Sequence, residues 1–404
     1  MIAFAACVGA FSAFLAATRT EVTEIPAAIE RLLDPRADGE RAIAQAQARL
    51  ANAPDDPRAA AGLAAAYLAR VRETYDPNLY AKAAALIDAA VAKAPADPDV
   101  ALTAANLALS RHDFTAALRL GQVAQAGAPD RPAVYGVLTD AYVELGRYDE
   151  AIASAQRMVD LRPDLASYSR VSYLRELHGD IDGAIDAMRR AVDSGAPRAE
   201  GTAWSAVQLG NLFLAKNDLG GASRAYDEAL QRVDGYVFAT AGQARVLASR
   251  GDLAGAAALY ERIAARLPVP DFFIALADLH DRLGDSTRAA QDAAVVDAME
   301  QLLKANGVRT DVDLALFDAD HGRRLDEALA AARAEYAIRP SVTVAMTLAW
   351  TEYKTGDLVA ASRHADEALR LGWRDPSAVH RAERIAQAAG DVALAQRIAE
   401  LQTR

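Results

Sequence analysis

The sequence is poor in cysteine, lysine and aromatic side chains, and each scarcity removes a class of protein. Its one cysteine, Cys7, can build neither a disulfide nor a Cys-based zinc site within the chain. Lysine occurs only at Lys82, Lys93, Lys216, Lys304 and Lys354, and no Lys/Arg cluster is longer than a pair. With 44 basic against 55 acidic residues the formal charge is −11, so no electrostatic footprint for phosphate backbones exists and nucleic acid is not an expected partner. Only 25 residues (3 Trp, 13 Tyr and 9 Phe) are aromatic, which argues against sheets of bulky strands. No GxxxxGK[ST], GxGxxG, GxSxG or HExxH is present. The expectation is a protein without catalytic residues, cofactor or metal.

Alanine is abundant instead, with 98 residues. It is the best helix former and the smallest apolar side chain, so helices packed closely together are favoured. Hydrophobic residues make up 52% and charged residues 25%, enough to bury a core. The pairing of abundant alanine with arginine as the dominant cation suggests a GC-rich bacterial genome. Ile2 to Ala17 is an uncharged apolar run, short for a membrane span and of the length of a signal-peptide core. No basic residue precedes it, and it reads as an export signal, a short membrane anchor or an apolar first helix. The first two predict a bacterial periplasmic or membrane-anchored protein, attached through residues 2–17 in the anchor case; the third leaves a cytoplasmic one.

A repeat dominates the rest. Pro95, Pro129, Pro163 and Pro197 stand 34 residues apart; Asn217-Asp218-Leu219 and Gly251-Asp252-Leu253 keep that step, as do Gly356-Asp357 and Gly390-Asp391. Between these marks each unit reads as two amphipathic helices around a turn, with Pro closing the second. In Pro132 to Pro163, Leu138 and Tyr142 share one helix face, Gly146 opens the turn, and Ala151 sits where the helices must cross closely. The same pattern returns in Leu209-Gly210, Phe213, Ala222 and Tyr226, and in Ala244, Leu247, Gly251, Ala256 and Tyr260.

This pattern resembles the tetratricopeptide repeat (TPR), and long bacterial TPR proteins of undefined activity in particular. The resemblance implies an all-α solenoid, a right-handed superhelix of antiparallel helix pairs. The expected organisation is a signal-like or anchor segment over 1–19, a partial repeat or cap over 20–56, about ten tandem units over 57–375, and a capping repeat over 376–404. Ser286 to Gly307 reads as a lengthened second helix. His112 and His178 read as solvated turn residues, and none of the six histidines is paired at i and i+4. Asp311-Val312-Asp313 and Asp318-Ala319-Asp320 lack a calcium loop's Gly and Glu and read as solvated faces.

The family's first helices line a concave groove. Projecting its inward-facing positions onto this chain selects Asn106, Asp140, Tyr168, Trp204, Asn211, Phe238, Arg245, Trp350, Tyr353 and His380 as partner-binding candidates. Aromatic and Arg side chains are common interface anchors, although the same aromatics can pack between repeats. The resemblance therefore implies a scaffold that binds a peptide or partner protein in its groove. The alternative is an accessory subunit that positions a separate enzyme in envelope assembly or respiratory maturation.

Overall fold

A computed structural model describes residues 35–403 and, among them, twenty-one helices and no strand. The apolar run Ile2–Ala17 and Cys7 lie outside the described residues, as do residues 1–34 generally. A lone α1 (Pro35–Asn52) is followed by ten helix pairs. The first five are α2 (Pro57–Thr74) with α3 (Asn78–Lys93), α4 (Pro98–Ser110) with α5 (Phe114–Gly127), α6 (Pro132–Glu144) with α7 (Tyr148–Leu161), α8 (Leu165–Leu177) with α9 (Ile181–Ser194), and α10 (Glu200–Ala215) with α11 (Leu219–Arg232). Then come α12 (Val237–Ser249) with α13 (Leu253–Ala264), α14 (Pro270–Arg282) with α15 (Ser286–Ala305), α16 (Asp311–Asp320) with α17 (Leu325–Ile338), α18 (Val342–Thr355) with α19 (Leu358–Ala368), and α20 (Pro376–Ala389) with α21 (Val392–Thr403). The lengthened helix is α15, of 20 residues. The C-terminal segment is a full helix pair.

Why these residues make pairs is visible at the turns. Asp113, Asp180, Asp218, Asp252, Asp285 and Asp357 each accept a backbone N–H of the following second helix and so satisfy one of its orphan donors. Small residues then set the spacing: Ala117, Ala151, Ala222, Ala256 and Ala361 are all completely buried at the crossings. The most buried aromatic, Tyr226, wedges between α10 and α12, where Cβ atoms at Gly210 and Gly242 would come within 2.4 and 2.3 Å of its ring. Only glycine admits it.

The array does not remain open. In a simple solenoid each repeat touches its neighbours alone; here the ends of α4, α6 and α8 meet the starts of α16, α18 and α20, some 195 residues further on. Arg309 donates its N–H to the Arg111 carbonyl at 3.1 Å, and His112 Nδ1 lies 2.7 Å from the Arg309 carbonyl oxygen. The Val342 N–H donates to the Tyr148 hydroxyl oxygen at 2.8 Å, and Arg339 bridges Glu144 at 2.9 Å and Glu335 at 2.7 Å. Arg374 donates to the Gly179 carbonyl. Tyr148, Leu174, Leu177 and Val342 make an apolar cluster with Leu371 and Trp373 packed against it. The seam also demands glycine at 146, where φ is +72° and a Cβ would stand 2.6 Å from the Pro340 oxygen.

Two expectations change here. His112 is not a solvated turn residue, because the coil brings the 307–310 linker onto it. His178 lies edge-on to Tyr148, ring centroids 6.1 Å apart, with Nδ1 2.7 Å from the Leu174 carbonyl oxygen. Both turns face a later repeat that no local pattern could reveal.

Candidate functional site

The first helices carry the residues selected from the sequence, and the structure sorts them into three groups. In the first half, side chains are engaged by the array itself. Asn106 turns its amide back to the Leu102 carbonyl at 2.9 Å. Asp140 holds Arg170 of the next repeat through both oxygens, at 2.8 and 2.6 Å. Tyr168 packs partly buried against the core around Ile185 and Met188. Phe238 lies among Tyr75, Tyr236 and Phe272, with centroids 5.4 to 5.8 Å away.

The second group forms a stripe across α10 and α12. Trp204, Gln208 and Asn211 recur at helical spacing on one face. The Asn211 amide oxygen accepts from the Tyr226 hydroxyl and from Arg245 Nη2, both at 2.8 Å. Arg245 also lies over the Tyr226 ring at 6.0 Å. Trp204 leaves 40% of its surface exposed at the end of this stripe.

Inside the coil the charge is negative. Burial raises the Glu144 carboxyl despite the attraction of Arg339, and Asp140 and Asp313 add to the rise. Burial also pushes Asp271 up, with Asp313 reinforcing and Arg245 opposing. Carboxylates on α6, α14 and α16 thus act on one another across the coil. Glu176, on α8, is pushed up to about 7 by burial and then by Asp375. Tyr173 keeps 39% of its surface exposed, yet the protein around it raises its hydroxyl well above the ordinary range.

The third group is brought together near the C-terminal end, on the same α16, α18 and α20 whose starts form the seam but among residues that make no seam contact. Trp350, Tyr353 and His380 line one cleft with Asp320, Lys354, Arg381 and Arg384, of about 780 Å³. That volume lies within the range of ligand pockets, roughly 300–1,000 Å³. The Trp350 and Tyr353 rings stack at 4.9 Å and 23°. Trp350 is fixed from beneath: its Nε1–H donates to Asp320 at 2.7 Å. Arg381 reaches the other Asp320 oxygen at 2.8 Å, and Lys354 and Arg381 stand 5.6 and 5.8 Å from the Trp350 ring centre. Both oxygens of the cleft's one carboxylate are therefore engaged, and the remaining cations face solvent.

Lys354, Arg381 and Arg384 were not singled out from the sequence. Their signal was faint but present: Lys354 follows Trp350 by four residues, and Arg381 and Arg384 follow His380 on α20. What joins them is the packing of α16, α18 and α20, three first helices in succession.

Among the described residues no group of His, Cys, Asp or Glu is arranged to hold a metal ion, and no helix is long and apolar enough to cross a membrane. Histidine and carboxylate pairs are internal: His280 lies 2.6 Å from Asp292, and His364 lies 2.6 Å from Glu352. Asp318 is buried between Arg323 and Arg324 and is not part of a solvated face, whereas Asp320 stays exposed while it holds Trp350 and Arg381.

Comparison with known proteins agrees with this architecture. Residues 108–175 match one tetratricopeptide repeat model, and residues 207–269 and 242–299 match a second. A search of curated proteins finds no match. Among solved structures the chain is similar to TTC0263, a thermophilic TPR protein of Thermus thermophilus (22% identity over 46% of this chain and 99% of that one, TM-score 0.41). It is similar also to human IFIT1, solved as a dimer with PPP-AAAA (14% identity, 78% and 72% covered, TM-score 0.51), and to a tetratricopeptide repeat protein of Parabacteroides merdae (14% identity, 63% and 98% covered, TM-score 0.42). At these identities the likeness concerns the fold. With the matched stretches in phase with helix pairs that continue from residue 57 to residue 403, the chain is a protein of the tetratricopeptide repeat family, whose members are generally non-catalytic interaction scaffolds.

Proposed function

We propose that this chain is a non-catalytic scaffold that binds a peptide or partner protein on its concave side, with the C-terminal cleft as the principal contact. The observation that carries this reading is the half-buried Tyr353 at the wall of a cleft of about 780 Å³, its ring stacked on the buried Trp350 that Asp320 holds in place. A rigid aromatic surface loses little entropy on contact, which is why such side chains anchor interfaces. The first-half candidates support the scaffold instead, since Asp140 and Asn106 are already bonded within it. We propose further that the protein works at a bacterial envelope, with Ile2–Ala17 as export signal or anchor; an intact Met1 on protein isolated from the soluble cytoplasmic fraction would defeat this.

Site-directed photo-crosslinking in the native cell tests the binding reading. A photoreactive group at Tyr353 should capture a discrete partner, whereas one at Val359, which is 84% exposed on α19, should not. Equal capture from both positions, or none from Tyr353, overturns the assignment of the cleft.

A further inference from the structure

The cleft's charge is opposite to that of the molecule around it. The chain carries −11, and the inner face of the coil presents Asp271, Asp313 and Glu176. The cleft collects Lys354, His380, Arg381 and Arg384 against Asp320 alone. Asp320 neutralises one cation through the 2.8 Å contact with Arg381. Lys354 has a 3.5 Å contact with the Asp320 carbonyl besides its place over the Trp350 ring, and Arg384 is exposed with no ion pair among the described residues. Lysine is scarce here, with five in 404 residues, and one of them borders the half-buried Tyr353 and the buried Trp350 behind it. Unpaired cations beside a desolvated indole are the arrangement that recognises carboxylates flanking an apolar side chain.

Resting on the binding reading above, we propose that the cleft takes an acidic linear peptide segment: an apolar side chain lies against the half-buried Tyr353, whose ring is backed by the buried Trp350, and Asp or Glu carboxylates pair with Lys354 on α18 and Arg384 on α20. The two cations stand on different helices, so they suit carboxylates spaced along an extended chain. The surrounding negative surface excludes acidic segments elsewhere, so charge directs such a partner to this end of the array.

The test uses the whole chain and fluorescent peptides of one design, with glutamates alternating with leucines, their glutamine and lysine counterparts, and a single-stranded RNA oligomer. Anisotropy should show the glutamate peptide binding, weakening with salt. Substituting both cations, Lys354→Glu with Arg384→Glu, should weaken it at least about tenfold and give the lysine peptide measurable binding. That gain cannot come from misfolding. Tyr353→Ala should weaken the glutamate and glutamine peptides alike. If the glutamine peptide binds as tightly as the glutamate one and still responds to Tyr353→Ala, the acidic class is wrong while the cleft remains a peptide site. If RNA binds through Arg384 and displaces the glutamate peptide, or if no probe binds, the proposal is overturned, and in the last case crosslinking at Tyr353 decides the fate of the binding reading independently.

Discussion

The two ends of the concave surface are built from the same repeat and yet are opposites. Where the ends of α4, α6 and α8 meet the starts of α16, α18 and α20 the coil closes on itself, and the wall beside this seam gathers Asp140, Glu144, Asp271 and Asp313, with Glu144 held by an arginine from across the seam. Where the far ends of α16 and α18 meet α20, away from the seam contacts, the wall is aromatic and basic. The difference shows that in a solenoid the position of a repeat along the superhelix, as much as its own sequence, decides whether an inward side chain is enclosed or offered to a partner.

The largest effect expected is at the seam. Arg339 is 9% exposed and joins Glu144 to Glu335, so Arg339→Ala leaves buried carboxylates short of a cation and should cost about 3–5 kcal/mol in urea unfolding. A loss under about 1 kcal/mol would mean that the seam adds nothing to stability beyond its neighbours. Next is Gly146→Ala. Its positive φ costs a side chain roughly 1–2 kcal/mol, and the new methyl group must push Pro340 away. Small-angle scattering should report a larger radius of gyration with unchanged helix content, whereas an unchanged radius would deny the closed coil. Neither substitution should alter binding at the cleft, because none of its lining residues makes a seam contact.

The smallest effect concerns the enclosed wall. Glu176 titrates near 7 in the folded chain against 4.5 when unfolded, so its ionisation costs stability progressively between those values and fully above them. Glu176→Gln should therefore raise the melting temperature at about pH 8 and lose that advantage as pH falls toward 4.5. An equal gain at both ends of this range would place Glu176 in open solvent, like the cleft residues.

Much of the fold was legible in the sequence because its determinants are local. The proline step, the Gly-Asp turns and the alanine at each crossing are set by pairs of helices in contact, and Ala151 and Ala222 are buried as the spacing requires. The candidate site was legible in part. Trp350, Tyr353 and His380 lie together because they occupy equivalent inward positions in successive repeats, which a periodic pattern encodes. Phe238 and Tyr168 occupy such positions too but are taken up by neighbouring aromatic and apolar groups. Identical register did not separate the two outcomes.

What the sequence by itself determined is the helix pair and its repetition, since capping, helix propensity and small-residue crossings act over 34 residues at most and need no knowledge of the rest. Only the tertiary structure decided that His112 meets Arg309, that Tyr148 meets Val342, and that Lys354 and Arg384 share a cleft. Small rotations accumulate from one repeat to the next, and it is their sum over some 195 residues that closes the coil in one place and leaves it open in another.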